Sequence, residues 1–260
     1  SFRARYLLTL PGAWEDQFGN IHVQVGTDAD SRCLWSCHTD TVHATGGRQS
    51  IYVDTDGIAG LVRPAIVAAP LRPMRLAGPT TGAASLGAPP EAGPSYLGAD
   101  DTVGVYLCRE RILAGRPGYY LFHYGEERGC LGSGDLARQC GDWLASRLDL
   151  AIALDRAGTS VIVTHQMGAR GCSEAFAGDL ATALGALGLA YAPAHGVYTD
   201  TAEYMSVIPE CTNLSVGYRG QHGRSETTDL RFADRLLGAV LDLDTNDLRF
   251  ATAQGFNSGD

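Results

Sequence analysis

Short apolar runs and longer amphipathic or alanine-rich stretches alternate along this chain, and their lengths separate strands from helices. Ile21-His22-Val23-Gln24-Val25 alternates like a half-buried strand, and Cys33-Leu34-Trp35-Ser36-Cys37 follows it. Tyr119-Tyr120-Leu121-Phe122 and residues 148–154 are continuously apolar, as strands buried on both faces are. Val161-Ile162-Val163, residues 190–194 and residues 211–218 complete the expected strands. Helices are expected over 105–113 closed by Gly115, over 134–147, over 173–187 ended by Gly188, and over 228–241, with a short helical piece at 202–207 stopped near Pro209. The alternation predicts an α/β fold, a three-layer α/β/α sandwich on a mixed, largely parallel central sheet.

Two regions break the rhythm. Residues 41–97 are rich in Gly, Pro and Ala, with strand-like pieces at Ser50-Ile51-Tyr52-Val53 and Ala65-Ile66-Val67. They are expected to form a hairpin and loop excursion from a single catalytic domain spanning 1–260, with no lid or dimerisation domain. Residues 246–260 are expected to be a frayed tail.

The polar residues that punctuate this pattern fall at the ends of the apolar runs. His38-Thr39-Asp40 closes the second strand, Gly98-Ala99-Asp100-Asp101 opens a helix, Tyr124-Gly125-Glu126-Glu127 closes the next strand, Asp155 another, and His222 lies four residues before Glu226. In an open α/β sheet, ligands bind outside the carboxyl ends of the strands. Each residue alone has a plainer explanation: acids complement a helix N-terminus, and Glu-Glu pairs are common on solvated turns. Together they form a His and carboxylate set suited to zinc, or less selectively to Co2+ or Mn2+, with a position open for water. Adjacent carboxylates repel unless a cation or a proton divides their roles, so one acid of the Glu126-Glu127 pair reads as a ligand and the other as a general base. His and Asp two apart on an extended chain share a side, so Asp40 is expected to hold one nitrogen of His38. Glu226 is expected to meet the His222 imidazole if that turn is helical.

Composition narrows the chemistry further. The net charge of −9 argues against nucleic acid or an anionic membrane as the main partner. All 20 basic residues are Arg, which rules out a Schiff-base or P-loop lysine. Seven scattered Cys without a CxxC pair suggest neither a disulfide framework nor a thiolate zinc site, and favour a reducing, cytoplasmic setting. No signal-like segment or membrane span is expected.

The order His-x-Asp, Gly-Ala-Asp-Asp, Gly-Glu-Glu, Asp, His resembles the co-catalytic dizinc exopeptidases and deacylases of clan MH, over most of the chain from Phe18-Gly19-Asn20 to His222. The resemblance implies two zinc ions, one held by His38 and Asp155 and the other by Glu127 and His222. Asp100 would bridge them and be joined to Asp101 by a cis peptide. It further implies Asp40 orienting His38, and Glu126 as the general base that later protonates the leaving amine. The interval from Asp155 to His222 is too short for the lid of the tripeptidase branch, whereas the long interval from His38 to Asp100 is closer to that branch. Without a lid, a local group must stabilise the oxyanion: Tyr218 first, with His195 and Tyr198 behind it.

The function expected is hydrolysis of an amide or peptide bond by an exopeptidase acting on a small peptide. The alternatives are a deacylase of acylated amino acids, a single-zinc glutaminyl cyclase-like enzyme, or a non-catalytic scaffold. Substrate identity and oligomeric state stay open.

Overall fold

A computed structural model describes residues 1–30, 32–43, 46–47, 49–62 and 96–248. The N-terminal part runs α1 (Phe2–Tyr6), β1 (Trp14–Glu15), β2 (Ile21–Val25), β3 (Cys33–His38), β4 (Ile51–Val53) and β5 (Ile58–Leu61). Next come α2 (Ala99–Leu113), β6 (Gly118–His123), α3 (Leu131–Arg147), β7 (Leu150–Arg156), β8 (Val161–Gln166) and β9 (Ala169–Arg170). The chain continues through α4 (Glu174–Ala186), β10 (Ala192–His195), β11 (Glu210–Ser215), β12 (Tyr218–Arg219), β13 (Thr227–Asp229) and α5 (Leu230–Asp242).

The main sheet has the order β1-β2-β6-β3-β7-β11-β8-β10, with β9 on β8. Its centre is parallel: β3 pairs with both β6 and β7, and β7 with β11, while β2 runs antiparallel to β6. Period-two alternation explains why these strands are apolar throughout. Trp35, Tyr120, Phe122, Ile152 and Leu154 enter one core with α2, α4 and α5, whereas Leu34, Tyr119, Leu121 and Ala151 enter another with α3 and the segment around Tyr204. The sheet therefore lies between two helical layers, as the sequence pattern predicts.

Helix α2 approaches the sheet closely at Gly104, where a Cβ would lie 2.1 Å from the carbonyl oxygen of Leu154 and 2.5 Å from the Asp101 carboxylate. Only glycine fits there, and the tight contact holds the start of α2 over the end of β7.

Several elements differ from expectation. The 211–218 run is not one strand: Gly217 takes φ 106°, and Tyr218 begins β12 in a second sheet of order β12-β13-β5-β4. The expected hairpin is present as β4 and β5, antiparallel, but it belongs to this small sheet, whose other strands come from the end of the chain. The helical piece near 202–207 is a 3₁₀ turn over Asp200–Tyr204. The Ala65-Ile66-Val67 piece and most of the 246–260 tail lie outside the described residues. No helix among the described residues is long and apolar enough to cross a membrane.

Candidate metal centre

Strands β3, β6 and β7 run parallel, so their carboxyl ends reach one edge of the sheet, and each carries chemistry there. His38 ends β3, the Glu126–Arg128 3₁₀ turn follows β6, and Asp155 lies near the end of β7. Helix α2 brings Asp100 and Asp101 to the same edge, and the turn after β12 brings His222. Three groups of potential ligand atoms converge: His38, Asp100 and Asp155; Asp100, Glu127 and His222; and His38, Glu126 and Glu127. Within each, the atoms lie within 4.8 Å of one another.

Asp100 spans the first two groups with its two oxygens. Its Oδ1 is 3.0 Å from His38 Nε2, and its Oδ2 is 3.3 Å from His222 Nε2. The Asp100-Asp101 peptide is cis. Asp155 Oδ1 is 3.6 Å from His38 Nε2, and Glu127 Oε1 is 2.9 Å from His222 Nε2. That last contact is short, yet Glu127 Oε1 is buried without a hydrogen-bond partner. Two donor atoms that are close but not angled as donor and acceptor are what a shared cation calls for, so the residues fit a metal. His38 donates from Nδ1 to the main-chain oxygen of Asp40 at 3.0 Å, which turns Nε2 toward the acids.

The electrostatics are those of a crowded, buried acid cluster. Burial, with Asp155 adding repulsion, pushes Glu126 up to about 9. Burial likewise raises Asp100, Asp101 and Glu127. His38 loses basicity to burial, but Asp155 and Asp100 reverse this and hold it well above its ordinary value. Asp155 alone goes down: burial opposes it, but His38, Thr199 and Tyr218 stabilise its charge. Thr199 Oγ1 donates to Asp155 Oδ2 at 2.6 Å and the Tyr218 hydroxyl to Oδ1 at 3.0 Å, while Asn213 brackets the Asp155 backbone.

Of two supporting roles, one is filled by another atom than the carboxylate, since Asp40 holds His38 Nδ1 through its main-chain oxygen, and the other differs from expectation. The Asp40 carboxylate lies 3.7 Å from His38 Nδ1 and instead accepts the backbone N–H groups of Gly125 and Glu126 at 3.0 and 3.1 Å. The reason is that β3 stops at His38, so strand alternation no longer governs Asp40. The turn after His222 is not helical either, His222 having φ 58°. Glu226 is therefore directed away from the imidazole and accepts the N–H groups of Gly98 at 2.9 Å and Asp100 at 3.1 Å. It ties the turn carrying His222 to the segment carrying Asp100. Glu226→Gln keeps the shape but turns one acceptor into a donor facing an N–H, so it is expected to cost about 1–3 kcal/mol of stability. Metal affinity should fall about 10- to 100-fold. Thermal unfolding with and without zinc checks both.

Asp101 and Asp200 are the residues that sequence reasoning left without a role. Asp101 accepts the His38 N–H at 3.2 Å and the Gly104 N–H at 3.0 Å, joining the end of β3 to the first turn of α2. Asp200 is buried beside the cluster, takes the Ser133 hydroxyl, and is pushed up by burial to about 7. Of the oxyanion candidates, Tyr218 and Tyr198 line the cavity over the cluster; Tyr198 gives its hydroxyl to Glu203. His195 is not among the cavity-lining residues and lies against His165, the rings tilted by 31° with centroids 4.4 Å apart.

A mixed, largely parallel sheet between helical layers carries an acid and histidine cluster at its carboxyl edge, an α/β sandwich. No sequence-family profile matches the chain, and no curated protein matches it in sequence. Solved structures do match in three dimensions. Aminopeptidase PepT from Bacillus cereus superposes with a TM-score of 0.63 at 13% identity, over 88% of this chain and 87% of that one. A tripeptidase from Staphylococcus aureus gives 0.60 at 14% identity, over 90% and 87%. The Pyrococcus horikoshii TET1 peptidase, which can assemble into a tetrahedron or a large octahedral shell, gives 0.56 at 18% identity, over 91% and 90%. The chain shares the fold of these peptidases.

Proposed function

We propose that this protein is a metal-dependent exopeptidase that removes a residue from a small peptide, an aminopeptidase or small-peptide peptidase working with two zinc ions. The observation that carries the reading is Asp100, whose two carboxylate oxygens each meet a different histidine, so that two ligand groups share one acid. In this reading His38 and Asp155 hold one ion, Glu127 and His222 the other, and Asp100 both. Co2+ or Mn2+ would suit the same donors.

Bound there, the ions would polarise the substrate carbonyl and ease deprotonation of water. Glu126, fixed through its N–H by Asp40, takes a proton from the water that adds to the carbonyl carbon and delivers it to the departing amine nitrogen. Tyr218, whose one O–H is given to Asp155 here, would donate to the oxygen that gains charge by releasing Asp155; Tyr198 would do so by releasing Glu203, and His195, outside the cavity lining, is the weakest of the three. A deacylase of acylated amino acids would use the same groups. All seven cysteines are free, and six are buried, which suits a reducing, cytoplasmic setting. The peptidase with a shell-like assembly makes oligomerisation worth measuring.

Elemental analysis after zinc reconstitution and removal of excess metal should find two ions per chain, with hydrolysis of unblocked alanine peptides. One tightly held ion would favour the cyclase-like alternative, and none would leave a non-catalytic scaffold.

A further inference from the structure

The cavity over the cluster is lined by Asp100, Glu126 and Asp155 at its reactive end and by Arg156, Asn213, Gln166, Tyr198, Tyr218, Gln221 and His222 among its polar groups. Most of these side chains are already engaged. Asn213 brackets the backbone of Asp155, Gln166 bridges Thr199 and Thr201, Tyr218 donates to Asp155, Tyr198 to Glu203, and His222 meets Glu127 and Asp100. Arg156 is different. It follows a candidate ligand directly, it brings the one permanent positive charge to the lining, and no carboxylate among the described residues forms an ion pair with it. Its Nε is buried with no acceptor. The Nε atoms of Arg3, Arg109 and Arg111 are buried without an acceptor too, but Arg3 and Arg109 pair with Glu15 and Glu110 through their terminal nitrogens, and Arg111 lies over the Trp35 ring, 3.9 Å from its centroid.

A guanidinium whose N–H is withdrawn from water and left unpaired beside a reaction centre is built for an anion supplied from outside, and its planar fork matches a carboxylate. We propose that Arg156 is a specificity-determining residue that binds a carboxylate of the substrate, so that the site selects short anionic peptides. This deepens the peptidase reading and rests on it. The cavity, at about 210 Å³, is smaller than the roughly 300–1,000 Å³ that drug-sized ligands occupy, which suits a substrate of about two residues. The same carboxylate chemistry could come from a free C-terminus or from an acidic side chain, and paired substrates separate these sources.

The test compares Ala-Ala with Ala-Ala-amide, and Glu-Ala-amide with Gln-Ala-amide, on the zinc-loaded protein and on Arg156→Met and Arg156→Lys, with circular dichroism and metal content to verify that each variant is folded and loaded. Wild type should favour the carboxylate member of one pair by about 10- to 100-fold in kcat/KM, carried mainly by KM. The first pair identifies a terminal carboxylate and the second a side chain. The ratio should fall to near one in Arg156→Met and be partly restored in Arg156→Lys.

Calorimetric binding of the same four peptides to the Glu126→Gln protein, with and without Arg156→Met, gives the preference without turnover. Hydrolysis with equal rates within both pairs, or a preference that survives Arg156→Met, overturns the assignment of Arg156 and leaves the peptidase reading standing. A preference in binding that depends on Arg156, without hydrolysis by the wild type, sinks the peptidase reading and keeps the carboxylate site. Neither binding nor hydrolysis overturns both.

Discussion

Replacing Glu126 with Gln should lower kcat by about 10²- to 10⁴-fold while leaving zinc content, fold and substrate binding in place. The expectation comes from the division of labour between two adjacent acids. Glu127 Oε1 meets His222 at 2.9 Å, within one ligand group, whereas the nearest positive partner of Glu126 is His38 at 4.0 Å, and Glu126 lines the cavity. Glu126 is also driven toward holding a proton, up to about 9 through burial and its acidic neighbours. A cation would lower that value toward working pH, as a group that both accepts and returns a proton requires. The geometry carries a competing arrangement, since His38, Glu126 and Glu127 also converge. Glu126→Gln decides between them: loss of one zinc per chain would make Glu126 a ligand, and the role of base would need another residue. Glu127→Gln should behave oppositely, losing metal first.

The second large effect concerns the protein stripped of metal. Its stability should fall as pH rises from about 5 to about 9, whereas the zinc-loaded protein should hold its stability across that range. The sign follows from proton linkage. Folding raises Asp100, Asp101, Glu127, Glu126 and Asp200 above their ordinary values, chiefly through burial, and His38 rises through Asp155 and Asp100 despite burial. Between the unfolded carboxylate value near 4 and the folded values, which reach about 7 for Asp200 and about 9 for Glu126, these groups bind more protons in the folded chain than in the unfolded one, opposed below about 6.5 by His22 and His123, which burial lowers. Stability is thus present at the acid end of that window and lost toward the alkaline end. A bound cation would take the place of those protons, and would bind more strongly as they leave. Thermal unfolding in EDTA and in zinc from pH 5 to 9 measures both curves. Asp200→Asn should flatten the EDTA curve below about pH 7 without removing zinc, because Asp200 lies outside the three converging groups. A flat EDTA curve for the parent protein would mean that the acids are not sequestered as described.

Much of the frame and the cluster was legible because both depend on short-range pattern. Continuous apolar runs marked β6 and β7 as strands buried on both faces, and an acid or histidine at the end of each run marked one edge of the sheet. What escaped was long-range. Nothing near Asp229 in sequence announces that β13 pairs with β5, whose Ile58 is its partner. Gly217 gave no sign of the turn that carries Tyr218 out of the main sheet. Glu226 looked like a companion of His222, four residues away, yet its partners Gly98 and Asp100 come from the first half of the chain. Asp40 holds His38 Nδ1 through its main-chain oxygen, with the carboxylate further off, because β3 ends two residues before it and alternation no longer sets its side chain. Arg156 is one of 20 arginines and shares a buried, unpartnered Nε with Arg3, Arg109 and Arg111; only its place on the cavity wall distinguishes it.

Asp100 faces His38 on one side and His222 on the other, so the groups that would hold two cations come from segments spread across most of the chain. During synthesis these donors leave the ribosome in sequence, and the second group lacks its histidine until the turn after β12 has emerged. A chain halted before that point could offer one group but not the pair. Occupancy of both would therefore require a chain extended past His222 and folded back onto the ends of β3 and α2.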